Sequence, residues 1–187
     1  MLDKWQDWIG TETGLVASTV LALPVAGLVV CALAVFRRAG GTPTGWAWRR
    51  SVAEVFLVYG TLPFVVLTLT PGSQAGLVPG RTSLVPLQDL LEMDTGQIIG
   101  NLLVFSALGF CAPMRFFAMG SLRRVLAVAA GSSLMIEILQ YVLWLDRVSS
   151  VDDVLLNATG AVLAALISRR WWRARSEVRV SPICQAA

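Results

Sequence analysis

Apolar residues fall along this chain in five long blocks, at about 15–36, 51–70, 97–117, 122–144 and 152–171, separated by shorter polar stretches. A helix needs roughly 20 apolar residues to cross the hydrocarbon core of a bilayer, so each block predicts a membrane-spanning helix. Together they use most of the 187 residues and leave no room for a second globular domain. The expectation is an all-α integral membrane protein, a bundle of about five transmembrane helices forming one membrane domain over 1–187. Within it, 1–70 reads as an N-terminal interfacial segment and helical hairpin, 83–167 as the core, and 168–187 as a basic cytoplasmic tail.

Finer periodicity adds two shorter elements. Leu2, Trp5, Trp8 and Ile9 recur at helical spacing around Asp3, Lys4 and Asp7, which suits a surface helix or a tryptophan anchor for the first span. Between the second and third spans, Leu84, Leu87, Leu90 and Leu91 share one helical face, and Pro86 suits a first turn. A short interfacial or re-entrant helix is expected near 84–93. Pro24, Gly60 and Pro63 are expected to bend the first two spans. Glu54 follows Arg50 by one helical turn, a spacing that suits a local ion pair.

The composition agrees with a membrane class: 56% hydrophobic and 14% charged residues, with mean hydropathy +0.68. Charge then orients the chain, because cytoplasmic loops near helix ends collect Lys and Arg. Arg37, Arg38, Arg49, Arg50, Arg115, Arg123, Arg124, Arg169, Arg170, Arg173, Arg175 and Arg179 fall on one side of the five spans, leaving Lys4, Arg81 and Arg147 on the other. The acids Asp3, Asp7, Glu12, Asp89, Glu92, Asp94, Asp146, Asp152 and Asp153 gather on the poorly basic side. The N-terminus is therefore expected outside and the C-terminus in the cytoplasm, as a multi-pass membrane protein. The net charge of +3 reflects this bias and the anionic inner leaflet, with no nucleic-acid patch.

Several chemistries drop out. The chain has no histidine, which removes histidine triads and imidazole acid–base catalysis. Cys31, Cys111 and Cys184 have neither metal-ligand nor disulfide spacing. No metal or other cofactor is implied. The apolar run before Ala32-Leu33-Ala34 is too long, and its leading segment too acidic, for a cleaved signal peptide.

What remains is a cluster of polar groups at one level of the bilayer. Glu137 precedes Trp144 by seven residues, or ~10 Å below the interface at 1.5 Å per residue. Ser133, Glu137 and Gln140 lie on one face of the fourth span; Asp153, Asn157 and Gly160 repeat the same offsets on the fifth; Gln97 and Asn101 occupy the first turns of the third. Arg147, Asp152 and Asp153 lie in or just after the loop between the last two. Ionisable groups at such depth face a protein interior or a water-filled cavity and carry function. Gly100, Gly109, Gly131 and Gly160 are small enough to let these helices pack closely. Glu137 and Arg147 are expected to touch, directly or through water.

The segments GNLLVFSALGF, SLMIEILQ and DRVSSVDDVLLNATGAVLAAL resemble, in order and spacing, the successive motifs of the VanZ-like membrane proteins, a family that takes its name from VanZ, the accessory teicoplanin-resistance protein. The resemblance covers about 83–167 and falls on Asn101, Phe105, Gly109, Ser133, Glu137, Gln140, Arg147, Asp152, Asp153, Asn157 and Gly160. Ala107 stands where members often carry proline, and the first span extends beyond the shorter members. The resemblance implies a place in the bacterial envelope and a link to glycopeptide tolerance.

Four readings of the cluster remain open. A structural one makes it a satisfied network holding three helices in register. A binding one makes Asn101, Ser133, Glu137, Gln140, Arg147, Asp152, Asp153 and Asn157 a pocket open to the outer leaflet. There Arg147 grips a phosphate or carboxylate of a membrane lipid, a lipid-linked wall precursor or an amphiphilic glycopeptide. A catalytic one uses Glu137 or Asp153 as acid or base, with Asp152 and Asp153 holding a water or divalent cation; Asp152 also suits a helix cap. A transporter is the least supported, since the spans show no inverted repeat and the inner halves of the core helices are apolar.

The arginine distribution generates a first test. A cysteine introduced near Gln74 should react with an impermeant thiol reagent applied to intact cells, and one near Gly120 should not. The opposite labelling pattern would invert the orientation.

Overall fold

In the computed structural model the described residues are 12–180, with side chains described over 13–172. The expected surface helix at Leu2–Ile9 and Cys184 lie outside them. Helix α1 runs Glu12–Ala39, α2 Thr44–Thr68, α3 Thr95–Val104, α4 Ser106–Arg115, α5 Leu122–Val142 and α6 Val151–Val180, with strands β1 at Arg81–Ser83 and β2 at Val148–Ser150. Five spans are long and apolar enough to cross a membrane: Thr13–Ala39, Thr44–Thr68, Thr95–Arg115, Leu122–Val142 and Val151–Trp172. The chain is an all-α multi-pass membrane protein.

Local chemistry moves several boundaries. Helix α2 begins at Thr44, before the expected 51, because Pro43 sits in extended geometry and its carbonyl accepts the N–H groups of Trp46 and Ala47. The third span is two helices, α3 and α4, broken at Phe105 (φ −112°, ψ 15°), whose ring is buried in the core. The helix expected near 84–93 is only a single 3₁₀ turn over Asp89–Leu91. Leu87 adopts φ +67°, a left-handed geometry that stops a helix, and Leu84, Leu87 and Leu91 remain exposed. Nothing in the hydropathy anticipated the parallel bridge of β1 with β2, which pairs Arg81 with Val148 and Ser83 with Ser150.

Lipid tails are as apolar as leucine, so close packing of small residues rather than burial of large ones holds membrane helices together. The distribution here follows that rule. Ala47, Ala53, Ala107, Ala129, Ala161 and Ala165 are buried, while Leu21, Leu28, Phe36 and Ile167 stand at least 67% exposed. Helix α6 is central, packing on α3, α4 and α5; α1 packs mainly on α2.

Two glycines set the closest approach. A Cβ placed on Gly160 would lie 1.9 Å from the Leu102 carbonyl oxygen, and one on Gly109 would lie 2.0 Å from that of Ala161. These contacts flank the break at Phe105, so the α6 backbone at Gly160–Ala161 sits in the crook between α3 and α4. Gly60 makes a third approach, with a Cβ there falling 2.7 Å from the Ala107 methyl. Gly100 and Gly131, expected to serve the same purpose, have nothing within 4 Å. Substituting Gly109→Ala or Gly160→Ala should sharply lower membrane abundance and melting temperature, because carbonyl backbone cannot give way. Gly131→Ala should be neutral or gain up to ~1 kcal/mol of helix propensity. Equal abundance of all three would show that the helices are not clamped at these points.

Candidate functional site

The polar groups converge where α2 ends, α3 begins and α5 turns through the β1–β2 bridge into α6, at the arginine-poor end of the bundle. The constraint on this end is that helix termini leave unpaired backbone groups, which at membrane depth need protein partners. Arg147 Nε donates to the Thr70 carbonyl at 3.1 Å and Nη2 to that of Leu67 at 3.4 Å. Gln140 Nε2 donates to the Thr68 carbonyl at 2.8 Å. The last turn of α2 is thus capped by residues from α5 and the loop behind it, and a guanidinium suits the negative end of a helix dipole.

Glu137 makes no direct ion pair with Arg147, so the direct form of the expected contact is absent among the described residues. Its Oε2 accepts the backbone N–H of Ser150 at 2.9 Å, and its carbonyl accepts the Ser149 hydroxyl at 2.8 Å. Strand β2 carries those serines past the helix that bears Glu137, while Arg147, one residue before the strand, is drawn to the end of α2. Ser150 also donates from Oγ to Asp89 Oδ2 at 2.5 Å and accepts the Asp152 N–H at 3.1 Å, capping α6. Asp152 is therefore not the cap. Its carboxylate is buried and reaches back to the loop, accepting Leu87 N–H at 2.6 Å and Leu90 N–H at 3.0 Å. This clamp holds Leu87 in its left-handed conformation and commits both oxygens to the loop backbone.

Deeper, Asn157 Nδ2 donates to Ser133 Oγ at 2.7 Å, tying α6 to α5, while Asn157 Oδ1 and Gln140 Oε1 are buried without a partner. Asn101 Nδ2 donates to Asp153, joining α3 to α6. Asp153 lies within electrostatic reach of Arg147, Glu137, Asp89 and Asp152. Among the described residues no three His, Cys, Asp or Glu side chains are grouped so as to hold a metal ion. Hydroxyls of Ser150 and Ser83 hold the Asp89 carboxyl below its usual range. That contact is therefore intact at neutral pH and is lost only as pH falls below the ordinary carboxylate range.

Three cavities open on this network. The largest, about 390 Å³, is lined by Arg147, Asn101, Gln97, Asp94 and Gly100 together with Phe64 and Leu67. An acidic neighbour of about 200 Å³ shares Gln97 and is lined by Asp89, Glu92, Ser150 and Asp153. The third, also about 200 Å³, lies on the far side of Glu137 and is almost wholly apolar, with Leu84, Ile138 and Tyr141. Of the sequence candidates, Asn101, Arg147, Asp153 and Glu137 line these spaces. Ser133, Gln140, Asp152 and Asn157 line none of the three and are engaged in holding the helices.

Sequence reasoning missed Ser149, Ser150 and Asp89. Ser150 was legible, because Ser150-Val151-Asp152-Asp153 fits the S-x-x-D pattern of a helix start. Asp89 was not, since its partner lies 61 residues away.

A multi-pass helical bundle with a polar cluster confined to one end of its core is the class that fold and site define. Residues 55–173, more than half of the chain, match the VanZ/LLP1 family, and the chain belongs to it. The match takes in most of α2 and leaves α1 outside. No curated protein and no solved structure matches the chain.

The Asp152 clamp yields a direct test. Asp152→Asn removes one acceptor from two partly buried N–H groups, a loss of about 1 kcal/mol, so amide exchange at Leu87–Leu90 should rise by roughly fivefold. Asp153→Asn should leave that exchange unchanged. Unaltered exchange in Asp152→Asn would mean that the loop is held by something else.

Proposed function

We propose that this protein binds the head group of a lipid-like envelope molecule in the cavity beside Arg147, from the outer side of the bacterial cytoplasmic membrane. The observation that carries the reading is the state of Arg147. Two of its N–H groups are fixed on carbonyls in and just after the last turn of α2, while the side chain lines a cavity of about 390 Å³ beside the amides of Asn101 and Gln97. A guanidinium oriented by its own protein and left with spare donors is a preorganised receptor for phosphate or carboxylate. Asn101 and Gln97 add neutral hydrogen bonding, and Phe64 and Leu67 supply the apolar wall an acyl or isoprenoid chain requires. Membership of the VanZ/LLP1 family supports a lipid-linked wall precursor or an amphiphilic glycopeptide such as teicoplanin as the molecule recognised.

One observation favours a second reading, a carboxylate-based enzyme acting on a lipid-linked substrate. Asp153 lines the acidic cavity that shares Gln97 with the Arg147 cavity, and a carboxylate there is the group that would serve as a base. Binding ranks first because Glu137, Asp152 and Asp153 each already accept a hydrogen bond that fixes the fold, which makes them better orienting groups than proton carriers.

Lipids carried through purification should include an anionic species that is depleted by at least tenfold in Arg147→Gln at equal membrane abundance. Gln97→Leu, which removes an amide from the cavity wall without touching the α2 cap, should deplete the same species. Retention in both variants would reject the site. Conversion of a lipid-linked substrate by wild type, lost in Asp153→Asn while binding persists, would promote the enzyme.

A further inference from the structure

At the opposite, arginine-rich end, Glu54 does not take the partner its spacing suggests. It pairs instead with Arg37 of α1 and Arg115 of α4, which are brought to it by the packing of α2 between those helices. Arg50 is thereby released, and its Nε is buried without a hydrogen-bond partner. No acid among the described residues pairs with Arg49 or Arg50.

Both arginines border a groove of about 330 Å³ between α2, α4 and α6. Its walls are Trp46 and Val52 on α2, Phe110 and Met114 one turn apart on α4, and Trp171 on α6. Phe110 and Trp171 stack at 5.6 Å in a tilted arrangement, and the Arg170 guanidinium covers Trp171 at 4.4 Å. The groove thus joins a long apolar trough to two unpaired cations at one end, within the aromatic belt where membrane proteins meet the head-group layer.

The geometry points to this groove as a binding site for an anionic phospholipid. Its phosphate sits between Arg49 and Arg50, and an acyl chain lies against Phe110, Met114 and Trp171. Charge complementarity selects the occupant: two groove-lining arginines with no acid partner among the described residues call for an anion, and an anion that also fills an apolar trough on a membrane-spanning bundle is a lipid. Basic residues at this membrane depth attract anionic lipid in general; the groove adds a shaped apolar wall, which a free phosphate would leave empty. The site is independent of the Arg147 cavity, which lies at the other end of the spans.

Native mass spectrometry of the full chain in detergent, with equal amounts of phosphatidylglycerol and phosphatidylcholine added, reads the preference directly. Wild type should retain phosphatidylglycerol over phosphatidylcholine, and Arg49→Gln/Arg50→Gln should reduce that preference by roughly thirtyfold, the scale two such cations supply. Val52→Trp, which fills the trough and keeps both arginines, should reduce it as well. Arg38→Gln, outside the groove, and Arg147→Gln should not. A loss in Arg38→Gln equal to that in the double variant would reduce the effect to general surface charge and overturn the site. So would an unchanged preference in Val52→Trp, which would leave an ion site without a lipid chain. Unchanged helical circular dichroism in each variant keeps the comparison among folded proteins.

Discussion

The approach of α6 to the broken third span fixes the register of everything around it. Where Gly160 meets the Leu102 carbonyl and Gly109 meets that of Ala161, helix backbones touch with no side chain between them. A contact of that kind tolerates no sliding, since displacement by one residue would drive a Cβ into a carbonyl. It places Asn101, next to Leu102, within reach of Asp153, two turns before Gly160 on α6. It also holds Ser133 of α5 against Asn157, because α5 packs on the other side of the same helix.

From that register follows a division among the polar groups. Ser133, Asn157, Gln140 and Asp152 face other protein groups and satisfy them; Asn101 and Asp153 do so while also lining a cavity; Arg147 does so with only part of its donor set. The same side chain can therefore stabilise the fold and present a charge to a ligand, and the two roles are geometrically separable. In water these bonds would be modest, each exchanging one hydrogen bond for another. At membrane depth the alternative is an unsatisfied group, and the network becomes obligatory.

The five spans and the shared level of Asn101, Glu137 and Asp153 were legible because hydropathy and helical periodicity are local signals. So were the family motifs. Pairings across the fold were not: Arg147 was expected to meet Glu137 two turns of α5 away, yet it serves carbonyls 77 and 80 residues away. Glu54 stood one turn from Arg50 and went to Arg37 and Arg115 instead. In both cases the expected partner was outcompeted by groups that only helix packing brings close. The break at Phe105 and the β1–β2 bridge had no signal of their own, since three-residue strands carry too little alternation to register. Asp152 read as a helix cap because an aspartate at a helix start usually is one; Ser150, two residues earlier, had already taken that place.

The cap on α2 has a consequence for biosynthesis. The chain emerges from the ribosome with α2 well ahead of α5, so the carbonyls of Leu67, Thr68 and Thr70 enter the membrane before Gln140 and Arg147 have been made. Until those residues arrive, the end of α2 is shielded only by the insertion machinery or by interfacial water. The cavity beside Arg147 accordingly cannot take shape until the chain has been made through Arg147, well after α2 itself, and a nascent chain arrested before that point carries the end of α2 uncapped.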